Sequence, residues 1–539
     1  VCEGCGDCSV QSNCLSVEPL ETELGRKRQI NQSSCNKDYS CVKGFCPSFV
    51  TVEGGELKKP KKLQVAPDAS AQNVAASGLA AMSTLPTPNI PDTATPFGVL
   101  VAGIGGTGVV TIGQILAVAA HIEGKACSVL DMSGLAQKGG PVMSHVRLAD
   151  SPDALYSTRV GTGAADLVIG CDLIVAASRD ALTRMGEGRT HAVINATASP
   201  TAAFVRNPDW QFPQAAASKD IVTACNAERV DFIDAGTIAT ALMGDSLATN
   251  MFMLGYAWQK GWVPLAEASI TQAIELNATS IEFNLQSFHW GRRAAFDLAA
   301  VLKLTHSETP AQVIEFKRKP SLQHLIEHRS ALLTAYQNAA YAQQYRDFIE
   351  QVKNAETQLG QPTLRLTEAV ARYFYKLMAY KDEYEVARLY ADGSFKGKIA
   401  TMFEPGVTLK FHLAPPLFAK RDAHGHLIKQ QFGAWMMPAF GVLAKLKWLR
   451  GTAFDIFGYS AERKTERALI GQYRDTVQGL LSTLRADNLA LAVEIASIPE
   501  EIRGYGHVKD KSLGAAREKE LRLLATYRAV ELREQGQTV

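Results

Sequence analysis

The stretch FGVLVAGIGGTGVVTIGQIL, Phe97 to Leu116, sets the fold. An apolar run, FGVLVAG, has the length and Val/Leu content of a buried strand. It meets the glycine turn Gly103, Gly105, Gly106, Gly108, and the chain then takes helical spacing through TIGQIL. Downstream, ACSVLDMSG, DLVIGC, DLIVAAS, HAVIN and VDFIDA read as further short buried strands, with helical stretches between them. That alternation predicts an α/β domain with a parallel sheet over residues 97–290.

Strand, glycine turn and helix N-terminus together make an anion site, because small residues let a phosphate approach backbone N–H groups. Asp131 stands at the spacing of a ribose-binding acid, which opens a dinucleotide reading. A lone G-x-G-G-x-G also occurs where close strand–helix packing is all that is required. In GLAQKGGPVMSHVRL, Lys138 and Arg147 are further candidates to meet a carboxylate or phosphate. His145 reads either as an acid/base group or as a structural strand histidine. GDSLATN, Gly244 to Asn250, has its Asn too close to its Asp for a thiamine motif and reads as a helix N-cap.

Outside this domain the composition changes. The whole chain has 539 residues, 46% hydrophobic and 20% charged, with formal net charge +2. So small a charge argues against nucleic-acid binding and against a membrane-surface protein. No run reaches the roughly 18 apolar residues of a membrane span, and no signal peptide is evident, so a cytoplasmic location is expected. Residues 54–96 read as a linker rich in Ala, Ser, Pro and Lys. Residues 291–539 are mainly helical, interrupted by an extended or hairpin excursion at KFHLAPPLFAKRDAHGHLIKQQF.

Seven of the ten cysteines fall in residues 1–53, at Cys2, Cys5, Cys8, Cys14, Cys35, Cys41 and Cys46. A disulfide framework needs an oxidising compartment and would leave one thiol over. Structural zinc usually uses two separate C-x2-C knuckles. The triple C-x2-C-x2-C followed by a distant Cys-Pro fits an iron–sulfur cluster best. On that reading Cys2, Cys5, Cys8 and Cys46 hold one [4Fe–4S] cluster in a ferredoxin-like segment. Cys14, Cys35 and Cys41 are then three potential ligands for a second centre, one thiolate short, and their spacing leaves metal binding open. Arg26, Lys27, Arg28, Lys37 and Lys43 read either as solvated charge or as a basic collar for an acidic electron carrier. Cys127, Cys171 and Cys225 read as buried structural thiols.

These strings are similar as a set to one family. CEGCGDCSVQSNC through CVKGFCPSFV, GIGGTGVVTIGQIL, SGLAQKGGPVMSHVRL, NMFMLGYA, FHLAPPLFAKRD, FGAWMMPAF, LRGTAFDIFG, ERKTER and EIRGYGHVKDKSL resemble the fused indolepyruvate ferredoxin oxidoreductases. These belong to the 2-oxoacid:ferredoxin oxidoreductase superfamily, and the resemblance covers nearly the whole chain. It implies oxidative decarboxylation of an arylpyruvate to its acyl-CoA with reduction of ferredoxin. It also implies thiamine diphosphate and Mg²⁺ in a module these residues lack, and coenzyme A as co-substrate.

The glycine domain becomes a Rossmann-like γ-type domain, not known as a dinucleotide site, which places coenzyme A rather than NAD(P). The expected partners are a thiamine-binding module, as a preceding part or a separate subunit, together with ferredoxin and a second copy of the chain in a homo-oligomer. Because the chain begins at Val1 and carries no thiamine module, it is expected to be part of a larger enzyme and inactive alone. The reading from another class is a non-redox nucleotide-binding Rossmann protein with structural zinc.

Overall fold

A computed structural model describes residues 1–58, 85–134, 140–198, 202–305, 321–415, 419–421, 423 and 427–534. Most of the expected linker 54–96 lies outside the described residues.

The glycine domain is built on a six-stranded sheet of β4 (Phe97–Ile104), β5 (Ala126–Ser133), β6 (Pro141–Ala149), β7 (Leu167–Gly170), β8 (His191–Asn195) and β9 (Val230–Ile233). Its order is β5-β6-β4-β7-β8-β9. Strands β4, β7, β8 and β9 run parallel, as the alternating pattern requires. The other half corrects the expectation of a parallel sheet, because β6 is antiparallel to both β4 and β5. The cause is connection length. Only residues 134–140 separate β5 from β6, and a parallel crossover needs a dozen or more.

Both sheet faces are covered, so β4 is apolar throughout. Val99 and Val101 face one core, while Leu100 and Ala102 face the other; all four are fully buried. DLIVAAS is also corrected. It forms a short helix, Leu173–Ala176, capped where the Asp172 side chain accepts the Val175 N–H at 2.9 Å. On the first face, helices Ala248–Gln259 and Ile281–Phe296 approach at two glycines. A Cβ on Gly255 would lie 1.9 Å from the Phe288 carbonyl oxygen, and one on Gly291 would lie 1.9 Å from that of Phe252.

The cysteine segment opens with helix Asp7–Ser12. The hairpin β1 (Val17–Thr22) and β2 (Gly25–Ile30) follows, then a 3-10 turn at Ser40–Lys43 and β3 (Val50–Glu53). That last strand pairs antiparallel with β10 (Thr408–Leu413), which also pairs with β11 (Gln430–Phe432). The expected excursion is thus a hairpin whose first strand holds the cysteine segment.

The C-terminal region packs helices Leu322–Tyr336, Ala339–Thr357, Arg365–Met378, Ala461–Ser482 and Leu489–Ser497 around Leu333, Tyr345, Phe374, Val477 and Ile495. Its buried tyrosines find carbonyls, with Tyr345 donating to Ala371 at 2.8 Å and Tyr473 to Ala496 at 2.7 Å. The strings LRGTAFDIFG and ERKTER are both tied by charge to the acidic pair Asp382 and Glu383. Arg450 meets Asp382 through two bonds of 2.5 and 2.9 Å, and buried Arg463 sits among Glu466, Glu383 and Glu462. Among the described residues no helix is long and apolar enough to cross a membrane.

Candidate metal centre

Local backbone geometry curls the first three cysteines. Gly4 and Gly6 both have positive φ, +70° and +80°, a conformation L side chains rarely adopt. The Gly4 N–H donates to the Cys2 sulfur at 3.3 Å, and the Asp7 amide points to the Cys5 sulfur. Cys46 arrives from the far side of the segment, with the Ser48 amide toward its sulfur. Two contacts register the loops: the Phe45 N–H donates to Asp7 at 2.6 Å, and Gly44 lies flat on Cys8. A Cβ on Gly44 would stand 2.7 Å from the Cys8 Cα.

This arrangement makes Cys2, Cys5, Cys8 and Cys46 electrostatic neighbours. Burial pushes the Cys5 and Cys8 thiols up to about 12, and repulsion from Cys46 and Cys2 adds to it. Cys46 is raised in the same way, by burial and then by Cys2. Cys14, Cys35 and Cys41 form a second group, in which burial and then its two neighbours push Cys41 up to about 11. The Lys37 N–H donates to the Cys35 sulfur at 3.4 Å. Among the described residues, no three His, Cys, Asp or Glu side chains form a ready-made site for a metal ion.

The surroundings are cationic. Arg28 stacks 3.8 Å above the Phe204 ring, with Nε and both Nη buried and without hydrogen-bond partners. Burial lowers this guanidinium; Cys8, Cys2 and Cys5 act against that lowering. A buried cation with no hydrogen-bond partner, set beside three thiols, fits an anionic thiolate-bound group. Burial alone would raise the Glu3 carboxyl, but Lys381, Lys27 and Lys376 outweigh it and hold Glu3 well below the usual carboxylate range.

The expected basic collar is therefore corrected in part. Lys37 and Lys43 are exposed, whereas Arg26, Lys27 and Arg28 turn inward. Arg26 donates to the Trp210 carbonyl at 2.7 Å, joining the cysteine segment to the α/β domain.

The C-terminal region closes the other side, which the sequence reading missed. Lys381 reaches the Cys2 carbonyl at 3.4 Å and pairs with Glu3. Tyr390 donates to the Pro47 carbonyl at 2.6 Å, and Tyr505 to that of Val1 at 2.6 Å. Lys429 donates to the carbonyls of Gly44 at 2.5 Å and Cys46 at 3.4 Å. The strings LIKQQF and EIRGYGHVKDKSL hold two of these contacts, Lys429 and Tyr505, and KDEYEVARLY holds Lys381 and Tyr390. An apolar groove of about 340 Å³ is lined by Pro47, Leu413, Phe432, Trp435 and Phe440, with Cys46 also in its wall.

The glycine turn has a different character. Packing accounts for two of its glycines: a Cβ on Gly103 would come within 2.7 Å of Val109, and the Gly105 N–H bonds the Gly140 carbonyl at 2.8 Å. Gly106 and Gly108 have φ of +86° and +94°. Asn250, from GDSLATN, holds the turn by donating to the Thr107 carbonyl at 2.6 Å.

Arg147 is not part of this site. It pairs with Gly98 at the opposite end of β4 and donates to the Ser157 carbonyl at 3.2 Å. Lys138 lies outside the described residues. Asp131 sits on edge strand β5, separated from β4 by β6, so it has no route to a ribose at the turn. His145 is buried and accepts the Val160 N–H at 3.3 Å, a structural role. Cys171 and Cys225 are buried and Cys127 half-buried.

Comparison with known proteins finds similarity in two parts of the chain. Residues 98–294 match the family described as pyruvate ferredoxin/flavodoxin oxidoreductase, and residues 322–521 match a family of unknown function, DUF6537. Through its α/β domain the chain is similar to the pyruvate ferredoxin/flavodoxin oxidoreductases and to subunits of indolepyruvate oxidoreductases.

The indolepyruvate oxidoreductase subunit IorB of Methanothermobacter thermautotrophicus is 28% identical over 204 residues, covering 37% of this chain and 97% of that protein. The IorB subunit of Thermococcus kodakarensis is 24% identical over 205 residues, covering 38% and 97%. Among solved structures, the pyruvate oxidoreductase subunit PORC of Thermotoga maritima matches at 20% identity, covering 38% of this chain and 96% of its own, with TM-score 0.27. The keto/oxoacid ferredoxin oxidoreductase gamma subunit of Geobacter sulfurreducens matches at 18% identity, covering 37% and 98%, also with TM-score 0.27.

Proposed function

We propose that this chain is the electron-transfer and γ-type portion of a thiamine-dependent indolepyruvate (2-oxoacid):ferredoxin oxidoreductase. The complete enzyme converts an arylpyruvate, coenzyme A and two oxidised ferredoxins to acyl-CoA, CO₂, a proton and two reduced ferredoxins. Decarboxylation requires thiamine diphosphate and Mg²⁺ on a partner module. The cysteine segment gives the two electrons a path out, one at a time.

One observation carries the reading: Cys2, Cys5, Cys8 and Cys46 share a buried cationic shell attached to an α/β domain of this superfamily. An iron–sulfur cluster supplies one-electron storage without proton transfer. The chain's residues would bind it through the four sulfurs, orient amides toward those sulfurs, and exclude water with Arg28 and Tyr505. Its cationic core offsets the burial and repulsion that keep the thiols protonated. Cys14, Cys35 and Cys41 are assigned to a second centre with three thiolates.

Anaerobically purified protein is expected to be brown, to bleach with dithionite and to contain about four irons per chain, or about seven to eight with both centres filled. Cys5→Ser is expected to abolish ferredoxin reduction by the complex reconstituted with its thiamine-binding partner. Colourless protein with stoichiometric zinc would overturn the reading in favour of a non-redox nucleotide-binding protein.

A further inference from the structure

Residues 322–521 match a family without assigned function, yet Lys381, Tyr390, Lys429 and Tyr505 all point from this part into the cysteine loops. Lys429 differs from the other three in what it faces. Its ammonium bonds the carbonyls of Gly44 and Cys46, on the turn that carries Cys46 to the other thiols. It lies 4.7 Å from the Phe49 ring centroid, on the ring face. Burial lowers this ammonium, and its neighbours Cys46, Asp7, Cys41 and Cys8 act against that lowering. Two carbonyls and an aromatic face hold a cation in place without neutralising it.

A fixed cation beside a redox group favours its more negative state, and local charge is one of the levers that set iron–sulfur potentials. We infer that Lys429 is the positioning residue of the cysteine centre, clamping the Gly44–Cys46 turn and favouring the reduced form with its charge. The domain of unknown function thereby becomes the electrostatic half of the electron path. A cluster held there would take one electron released by the oxidation of the 2-oxoacid, becoming one unit more negative with no bond or proton moving at these residues, and would pass that electron to ferredoxin. The inference rests on the proposal that Cys2, Cys5, Cys8 and Cys46 hold an iron–sulfur cluster.

The test compares the full chain with Lys429→Met, Lys429→Arg and Tyr390→Phe, measuring iron content and following dithionite titration by electron paramagnetic resonance. With iron retained, Lys429→Met is expected to lower the reduced-to-oxidised ratio at fixed ambient potential about tenfold, about 59 mV for one electron. Lys429→Arg is expected to restore the ratio to within about twofold, the residue that a conserved charge leaves. Tyr390→Phe removes a bond to the same loop without removing charge, and its ratio is expected to match the wild type.

Iron lost in the Met variant but kept in the Arg variant also supports a charged clamp. An unchanged ratio in Lys429→Met at full iron, an equal fall in Tyr390→Phe, or iron lost in both lysine variants would overturn it. A wild-type chain without iron fails the cluster reading itself, which is a separate result.

Discussion

At the residue scale, buried histidines make the protein acid-sensitive in a defined window. Burial, with Arg159 and Arg184, lowers His145 from 6.5 to about 4, and burial also lowers His191, His289 and His412. Above 6.5, His145 is neutral in both folded and unfolded chains. Between 6.5 and 4 the unfolded chain takes a proton that the folded one refuses, so stability falls as pH falls. His145→Asn, which keeps an acceptor for the Val160 N–H, is expected to remove ~1–3 kcal/mol of this loss, read from urea midpoints at pH 7 and pH 4.5. The role of His145 was ambiguous in the sequence, because a strand histidine shows neither its burial nor the arginines facing it. The cysteine spacing was far more legible, since it fixes which sulfurs one loop can present. Arg28 and Lys429 were not, because only tertiary folding reveals that one is buried without hydrogen-bond partners and the other bonds a loop 385 residues away.

Elements tell the same story through lengths and glycines. The strand–turn–helix at Phe97–Ile122 was readable because local spacing dictates it. The antiparallel insertion of β6 was overlooked, although the seven residues 134–140 already ruled out a crossover. DLIVAAS failed as a strand because its Asp caps a helix, and an apolar run of four suits either state. Gly255 and Gly291 gave no local signal; their meaning lies in the opposing helix. Gly291→Ala forces a Cβ into the Phe252 carbonyl and is expected to destabilise the protein by about 2–3 kcal/mol, or to prevent folding. Gly471, in helix Ala461–Ser482, has nothing within 4 Å of its added Cβ, and Gly471→Ala is expected to stabilise by about 0.5–1 kcal/mol. Thermal unfolding of the two variants provides a matched comparison.

At the scale of the whole molecule, the cysteine segment is a keystone between two larger bodies. Arg26 and Arg28 reach the α/β domain at Trp210 and Phe204, while Lys381, Tyr390, Lys429 and Tyr505 reach in from the C-terminal region. A composition-based division at residue 53 separates what β3 and β10 join. Phe411, fully buried in β10, packs with Tyr390 and Phe440 beneath that joint. This pairing also sets a timetable for synthesis. The cysteines leave the ribosome ahead of the strand and lysine that cover them, by some 385 residues. At about 5–20 residues per second that interval is roughly 20–80 s, during which the thiols remain uncovered. Chains ending before Thr408 are accordingly expected to react with iodoacetamide at Cys8 and Cys46 at least tenfold faster than the metal-free full chain, measured by mass spectrometry. For the proposed cluster, iron delivery becomes a matter of timing, with a window that closes once the chain has been made through Lys429.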